Sequence, residues 1–243
     1  MQGPSHLMLS WFFADASQID SAHERRIIAW SGLAPDIDVL AYVGAILWYR
    51  LDKDLAFENV WQVVHHRYTH NLAFVLLTGI VAWLLAARFA QARGGASVAD
   101  GAHASRVALL SMLASALHNF CDIVGGGPTW PVYPLWPLSD FGWTASWSWT
   151  LSEWPNTVIL FCCLAATLLY AKFVGRSPVE LFGGRAGRWF AHVVQQGSDK
   201  AGAAAQPGEA ATHRRVPLRL IIWVLVVLVV IAVLAPLGFR PGS

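Results

Sequence analysis

The sequence contains few charged residues and few cysteines for a chain of 243 residues. Only 13% of its residues are charged, which is about half the fraction found in a typical soluble domain. The three cysteines exclude a disulfide-rich scaffold and a spaced zinc-finger pattern. The net charge of +2 is too small to indicate a nucleic acid ligand. With 56% hydrophobic residues and a mean hydropathy of +0.46, an integral membrane protein is the expected class.

Long apolar runs are present in several places. The segments long enough to cross about 30 Å of hydrocarbon are residues 71–90, 106–124, 156–174 and 217–237. Residues 27–49 are equally apolar but are interrupted by Gly32, Pro35, Asp36 and Asp38. A break at membrane depth is tolerated only inside protein or beside a cavity, so we expect two short helices with a Pro-Asp-Ile-Asp turn between them. The sequence therefore predicts an all-α, polytopic membrane helical bundle with a broken N-terminal helix pair.

These segments predict three regions. They are a membrane-embedded metal-site domain (1–175), a cytoplasmic loop with a flexible linker (176–216) and a C-terminal transmembrane anchor (217–243). Residues 179–194 are expected to form either an amphipathic helix on the inner leaflet or a plain loop, and residues 195–212 a disordered linker. Residues 125–155 contain no Lys or Arg. The positive-inside rule therefore predicts a multi-pass inner-membrane protein with this loop, and the candidate site beside it, on the extracytoplasmic side.

Potential metal ligands are concentrated at the ends of apolar segments. His66 and His70 are four residues apart at the start of one segment, and His118 and Asp122 are four apart at the end of another. Residues four apart share a helix face, so each pair is predicted to hold a cation from adjacent turns. Ionisable groups at membrane depth are costly and usually face a cavity, a partner or an ion.

Asp36, Asp38 and His6 extend this set of ligands. In an extended turn Asp36 and Asp38 point in opposite directions, so one can bind the metal while the other orients a ligating histidine. The candidate metal ligands are His6, Asp36, Asp38, His66, His70, His118 and Asp122. Imidazole and carboxylate without thiolate suit zinc, with manganese or iron as alternatives. Seven donors suit two ions with a bridging carboxylate and a bridging hydroxide better than one tetrahedral ion.

Other polar residues near these motifs are open to more than one interpretation. Arg67 is predicted either to pair with an anionic substrate oxygen or to extend to the interface as a snorkelling arginine. His65 is interpreted as a bystander of His66, and Asp140 as a spare carboxylate. The histidines in polar or basic surroundings are expected to be solvated, namely His23, His103, His192 and His213.

The 125–155 loop carries an unusual number of tryptophans. They are Trp130, Trp136, Trp143, Trp147, Trp149 and Trp154. Tryptophan favours the headgroup region, so the loop is interpreted either as an aromatic belt on the bilayer or as a lid that admits an amphipathic substrate to the metal site.

The order of the motifs resembles that of the YdjM-type family of predicted membrane-bound metal-dependent hydrolases. The likeness covers roughly residues 1–145 and is carried by His6, Pro35-Asp36-Ile37-Asp38, His66-Arg67-x-Thr69-His70, His118-x-x-x-Asp122 and Tyr133-Pro134-Leu135. Asn71 stands where the family usually has Ser, and Phe120-Cys121 where it has Leu-Leu, but neither change removes a ligand. That family is distantly similar to the zinc-dependent phospholipase C and single-strand nuclease superfamily. The resemblance implies phosphoester hydrolysis at a centre of zinc ions.

Three functions follow from these patterns. The first is a membrane metal-dependent hydrolase of the phosphodiesterase or phospholipase type, with Arg67 and Asp38 as candidate catalytic residues and a phosphoester or other ester of a lipid as substrate. The second is a non-catalytic metal-binding membrane protein (a transporter, sensor or scaffold), because intramembrane His and Asp also line ion pathways. The third is an assembly protein whose polar residues join helices. The expected partners are membrane lipids and a lipid-linked substrate.

Overall fold

The structure, a computed structural model, describes residues 1–92 and 98–203, with side chains described for 1–92 and 100–197. Within these ranges the regular secondary structure is helical, apart from one isolated antiparallel bridge between Val132 and Trp143. The described helical segments long and apolar enough to cross a membrane are Ala22–Trp48, Leu72–Ala92, Asp100–Gly125 and Trp154–Val174. The predicted all-α class is thus confirmed. The predicted anchor, 217–243, and residues 204–216 of the predicted linker lie outside the described residues.

The N-terminal segment contains α1 (Gly3–Ala16), α2 (Ala22–Leu33), a 3-10 turn (Ala34–Asp38) and α3 (Val39–Trp48). The expected pair of short helices is therefore present. The prediction that the Pro-Asp-Ile-Asp turn is extended is wrong, because these residues form a 3-10 helix. Pro35 lies in the first turn of the 3-10 segment, where a missing backbone N–H costs no hydrogen bond.

A short helical stretch leads to the histidine motif. It comprises α4 (Lys53–Ala56), a π-helical turn (Phe57–Trp61) and α5 (Gln62–Val64). The next helix, α6 (Leu72–Ala92), begins only after the motif. Asn71 explains this start, because its side-chain oxygen accepts a hydrogen bond from the Phe74 N–H at 2.9 Å, as expected for an N-cap residue. The prediction that His66 and His70 share a helix face is therefore wrong.

The helices of the first compact unit, Met1–Asn156, pack around α7 (Val98–Gly125). Both α2 and α6 lie against α7, and α1 lies against α2. The buried core consists of Ala14, Ile19, Ile28, Ala86, Ala104, Val107 and Ala114. Gly32 allows a close approach of α1 and α2, since a Cβ at this position would overlap the side chain of Ser10. The polar cluster lies beyond this core, towards the C-terminal end of α7.

The second compact unit begins at Thr157. It contains most of α8 (Trp154–Val174), a 3-10 turn (Pro178–Phe182) and α9 (Gly184–Ala203). A helix over much of 179–194 agrees with the first of the two expectations for this segment. The prediction that residues 195–212 are disordered is wrong for the part up to Ala203, because α9 continues to that residue. Gln, Lys and Ala residues in this part favour a helix. Cys163 is buried and Cys162 is partly buried, and both are free thiols.

Candidate metal centre

Histidines and carboxylates from four separate segments meet at one buried position. His6 comes from α1, Asp36 and Asp38 from the 3-10 turn, His65, His66 and His70 from the stretch before α6, and His118 and Asp122 from α7. His6 is in none of the ligand groups, although its Nε2 atom lies 3.1 Å from Asp122 Oδ1. The ligand atoms of the other residues form three overlapping groups, each with all atoms within 4.8 Å. These groups are Asp36 with His70, His118 and Asp122; Asp36 with Asp38 and His65; and His65 with His66 and His70. Such a buried cluster can hold a metal ion.

The four-residue group has the dimensions of a tetrahedral site. Ligand atoms about 2.0–2.1 Å from a tetrahedral zinc ion lie roughly 3.3–3.4 Å from one another. From His118 Nε2, the distances are 2.9 Å to Asp122 Oδ2, 3.1 Å to His70 Nε2 and 3.4 Å to Asp36 Oδ1. From His70 Nε2, they are 3.5 Å to Asp122 Oδ2 and 3.8 Å to Asp36 Oδ1. Two nitrogens and two oxygens therefore surround a point at ordinary metal-bonding range.

Hydrogen bonds on the outer side of these rings orient the Nε2 atoms inward. The Nδ1 atom of His118 lies 2.8 Å from the Gly32 carbonyl oxygen, and that of His66 lies 3.2 Å from the Trp130 carbonyl oxygen. A carbonyl only accepts, so both Nδ1 atoms carry the proton. A neutral ring with its proton on Nδ1 would present an unprotonated Nε2 to the interior of the cluster, which is the arrangement that ligating histidines adopt.

His70 is oriented by a hydroxyl instead of a carbonyl. Thr69 Oγ1 donates to Asp38 Oδ2 at 2.9 Å, and its free lone pairs face His70 Nδ1 at 3.2 Å. His70 therefore donates from Nδ1, and its Nε2 atom lies 3.1 Å from that of His118. Two imidazole lone pairs and a carboxylate oxygen repel one another unless a proton or a metal cation lies between them.

Asp122 shows the same need for positive charge. Within the described part of the chain, its Oδ2 atom is buried and makes no hydrogen bond of normal geometry. Its Oδ1 atom lies 3.1 Å from His6 Nε2 and also contacts the N-terminal ammonium of Met1. We conclude that the donor set fits a cation.

The protonation states of the histidines outside the membrane-spanning helices suit metal binding. Burial, reinforced by the nearby His118, lowers the pKa of His6 to about 4. Burial also lowers the pKa of His65, and it lowers the pKa of His66 further, with His70 and His65 adding to the effect. These rings are therefore neutral near pH 7, as a metal ligand must be.

His65 belongs to the cluster, so its interpretation as a bystander is corrected. Its Nδ1 atom lies 3.0 Å from both carboxylate oxygens of Asp38. His66 adopts a left-handed backbone conformation with φ of 66°, which a non-glycine residue rarely takes. Since the chain is not helical here, the rings of His65 and His66 lie 4.2 Å apart on the same side. No periodicity in the sequence indicates this arrangement.

Arg67 and Asp140 lie outside the three ligand groups. The guanidinium of Arg67 lies 4.6 Å from the centre of the Tyr133 ring and 3.8 Å from Asp140 Oδ1. The Asp140 side chain is 79% exposed, so this carboxylate is not part of the buried cluster. A catalytic role for Arg67 stays a prediction.

Part of the tryptophan-rich loop covers the histidines. The Trp130 ring lies 4.7 Å from the His66 ring and 4.9 Å from the His65 ring, centre to centre. The Tyr133 N–H donates to the His66 carbonyl at 3.0 Å, and the Pro134 carbonyl accepts from the Leu72 N–H at 2.8 Å. Residues 130–134 are therefore held over the motif, while the neighbouring Leu138 is 93% exposed.

The remaining described histidines do not join the cluster. His103 hydrogen-bonds Glu24 at 2.8 Å, His23 stacks on Phe89 and His192 lies 3.3 Å from the Gln196 side chain. His103 and His192 are exposed, as expected, whereas His23 is half-buried against Phe89. His213 lies outside the described residues.

The chain belongs to the YdjM inner membrane protein family, whose family model matches residues 1–238. The match extends well past the 1–145 region in which the motifs occur. Comparisons with curated proteins and with solved structures found no match. Family membership and the apolar helices described above support a location in the membrane.

Proposed function

We propose that this protein is an integral membrane hydrolase that uses two divalent metal ions to cleave a phosphoester, or another ester, of a lipid-like substrate. One observation carries the proposal: the buried Nε2 atoms of His70 and His118 converge with the carboxylates of Asp36 and Asp122 at the spacing of a metal site. Zinc is the leading candidate, because the donors are imidazole and carboxylate.

Asp36 is the residue through which a second ion would be joined to the first. It belongs to the group with His70, His118 and Asp122 and also to the group with Asp38 and His65. Carboxylates shared in this way bridge the ions of two-metal hydrolases, which supply a nucleophile at neutral pH and polarise the bond to be cleaved. We assign the first group to one ion and the second to its neighbour.

The exposed parts of the site suggest where a substrate would bind. The Asp36 side chain is 24% exposed, whereas those of His70, His118 and Asp122 are almost completely buried. A substrate would thus approach from the side of Asp36. Arg67 offers a planar guanidinium next to the motif for an anionic oxygen, and Asp38 positions His65 and Thr69. The aromatic loop suits a lipid-linked substrate that reaches the site from the extracytoplasmic leaflet.

A non-catalytic metal-binding role is supported by the depth of burial. The ligands of the four-residue group come from the 3-10 turn, the 65–71 stretch and α7, so a bound ion would join three segments. Structural metal sites are closed and contribute directly to folding. If the ion has only a structural role, removing it should lower the melting temperature of the protein, and the protein should hydrolyse no substrate.

The test is hydrolysis by purified protein in mixed micelles containing phosphodiester, phosphomonoester and carboxylic ester lipids. Asp122→Asn should abolish hydrolysis, whereas Asp140→Asn, an exposed carboxylate outside the cluster, should retain it. The lipids of cells lacking the protein should change when wild type is restored, but not when Asp122→Asn is restored. Hydrolysis that survives Asp122→Asn would disprove the proposed site. Metal-dependent stability without turnover of any ester would favour the scaffold.

A further inference from the structure

The helix α9 presents an apolar stripe with arginines beside it. Trp189 and Val193 are one turn apart on α9, and both side chains are exposed, Trp189 by 67%. Phe182, in the preceding 3-10 turn, is 77% exposed. Arg185 lies one turn before Trp189, and Arg188 directly precedes Trp189 in the sequence. Both arginines are exposed. The opposite face of α9 packs within its own unit, with Gly187 against Glu180.

The position of α9 relative to α8 places this stripe at the membrane boundary. The Gln195 side chain donates to the Lys172 carbonyl at 3.4 Å, and Lys172 lies two residues before the end of the apolar α8. α9 therefore returns to the level at which α8 ends. Because α8 is long and apolar enough to cross a membrane, that level is the lipid headgroup region.

The charge of this region identifies the kind of lipid. Residues 172–188 carry Lys172, Arg176, Arg185 and Arg188, and the acidic residue among them, Glu180, is buried. Tryptophan and phenylalanine favour the headgroup boundary, and basic side chains beside them are attracted to anionic lipids. We propose that α9 is a membrane-surface helix that binds anionic phospholipid in the leaflet at the carboxyl-terminal end of α8.

The experiment uses the full-length chain with its native cysteines replaced and Val193→Cys carrying an environment-sensitive fluorophore. The protein is placed in nanodiscs of phosphatidylcholine alone or of phosphatidylcholine with an equal part of phosphatidylglycerol. We expect a blue-shifted emission in the anionic nanodiscs. Arg185→Gln combined with Arg188→Gln should lower the ratio of bound to released helix roughly twenty-five-fold there, since each basic residue near an anionic surface contributes about a factor of five.

Arg50→Gln combined with Lys53→Gln is the matched control, because it removes the same charge from exposed positions in the other compact unit. This variant should behave like wild type. The proposal would be overturned if the emission wavelength were the same in both kinds of nanodisc and did not change with the arginine substitutions. It would also be overturned if the fluorophore emitted in both as it does in water. A blue shift that appears in lipid-free detergent and grows with protein concentration would show that a second copy covers the stripe, and would also overturn it.

Discussion

Replacing Gly32 by alanine should disturb the metal centre through helix packing. A Cβ at this position would overlap Ser10 and lie 3.4 Å from the Ala114 Cβ. Ser10 has a short side chain fixed to the α1 backbone, so α1 itself must move. The same α1 carries His6, which stacks on His118 with ring centres 3.7 Å apart, and the Gly32 carbonyl accepts the bond that orients His118. The added methyl therefore displaces two members of the cluster.

The size of the effect follows from the cost of overpacking. Inserting one methyl group into a tightly packed interior costs about 1–3 kcal/mol. For a chain of this size, that corresponds to a fall of roughly 2–12 °C in melting temperature. Gly44→Ala is the control, because nothing lies within 4 Å of a Cβ at this position in α3. There, alanine should be neutral or should stabilise the helix by about 0.5–1 kcal/mol.

The assay is thermal unfolding of the purified protein in detergent, with and without added zinc, together with its metal content. We expect Gly32→Ala to melt at a lower temperature and to gain less stability from zinc than Gly44→Ala does. If Gly32→Ala instead has the wild-type melting temperature and metal content, the close contact of α1, α2 and α7 does not support the centre.

Three further predictions concern single features of the molecule. Thr69→Val removes the hydroxyl that orients a ligating imidazole, so metal affinity measured by competition with a chelator should fall about 10–100-fold; Thr69→Ser should retain it, and equal affinities would exclude this role. For His6, the pKa is about 4 in the folded protein, against 6.5 for an unperturbed histidine, so the unfolded state binds the proton more readily. His6 by itself should therefore lower the free energy of unfolding of the metal-free protein by about 3 kcal/mol between pH 7 and pH 4, and His6→Gln should make the measured fall smaller by about that amount; the same pH profile in both proteins would contradict it. A cysteine in place of Leu138 should react with an impermeant thiol reagent in intact cells, whereas one in place of Arg188 should not; reversed labelling would place the metal centre on the cytoplasmic side.

The transmembrane helices could be predicted from the sequence because membrane thickness sets their length. The apolar runs 71–90 and 156–174 correspond to helices Leu72–Ala92 and Trp154–Val174, so apolar content alone locates them to within about two residues. The pairing of His118 with Asp122 was predictable for a related reason. Both lie inside a long helix, where a spacing of four residues leads to contact, and their side chains are 2.9 Å apart.

The geometry of the other ligands depends on local backbone features that apolar patterns do not show. His66 and His70 have the spacing of a helical pair, but Asn71 begins the helix after them and His66 adopts a positive φ. This backbone turn brings His65 into the cluster. The Pro35 segment tightens into a 3-10 turn, in which Asp36 lies 3.4 Å from His118 and Asp38 lies 3.0 Å from His65. In each case a cap or a turn determines which side chains meet.

The metal content of the purified protein tests the central claim most directly. Elemental analysis should find at least one equivalent of a divalent metal, with zinc the expected ion, in wild type and in Asp140→Asn. Asp122→Asn should hold much less, since it removes a charge from the centre of the donor set. Wild-type protein with no bound metal after purification in zinc-containing buffer, or Asp122→Asn with as much metal as wild type, would contradict the account.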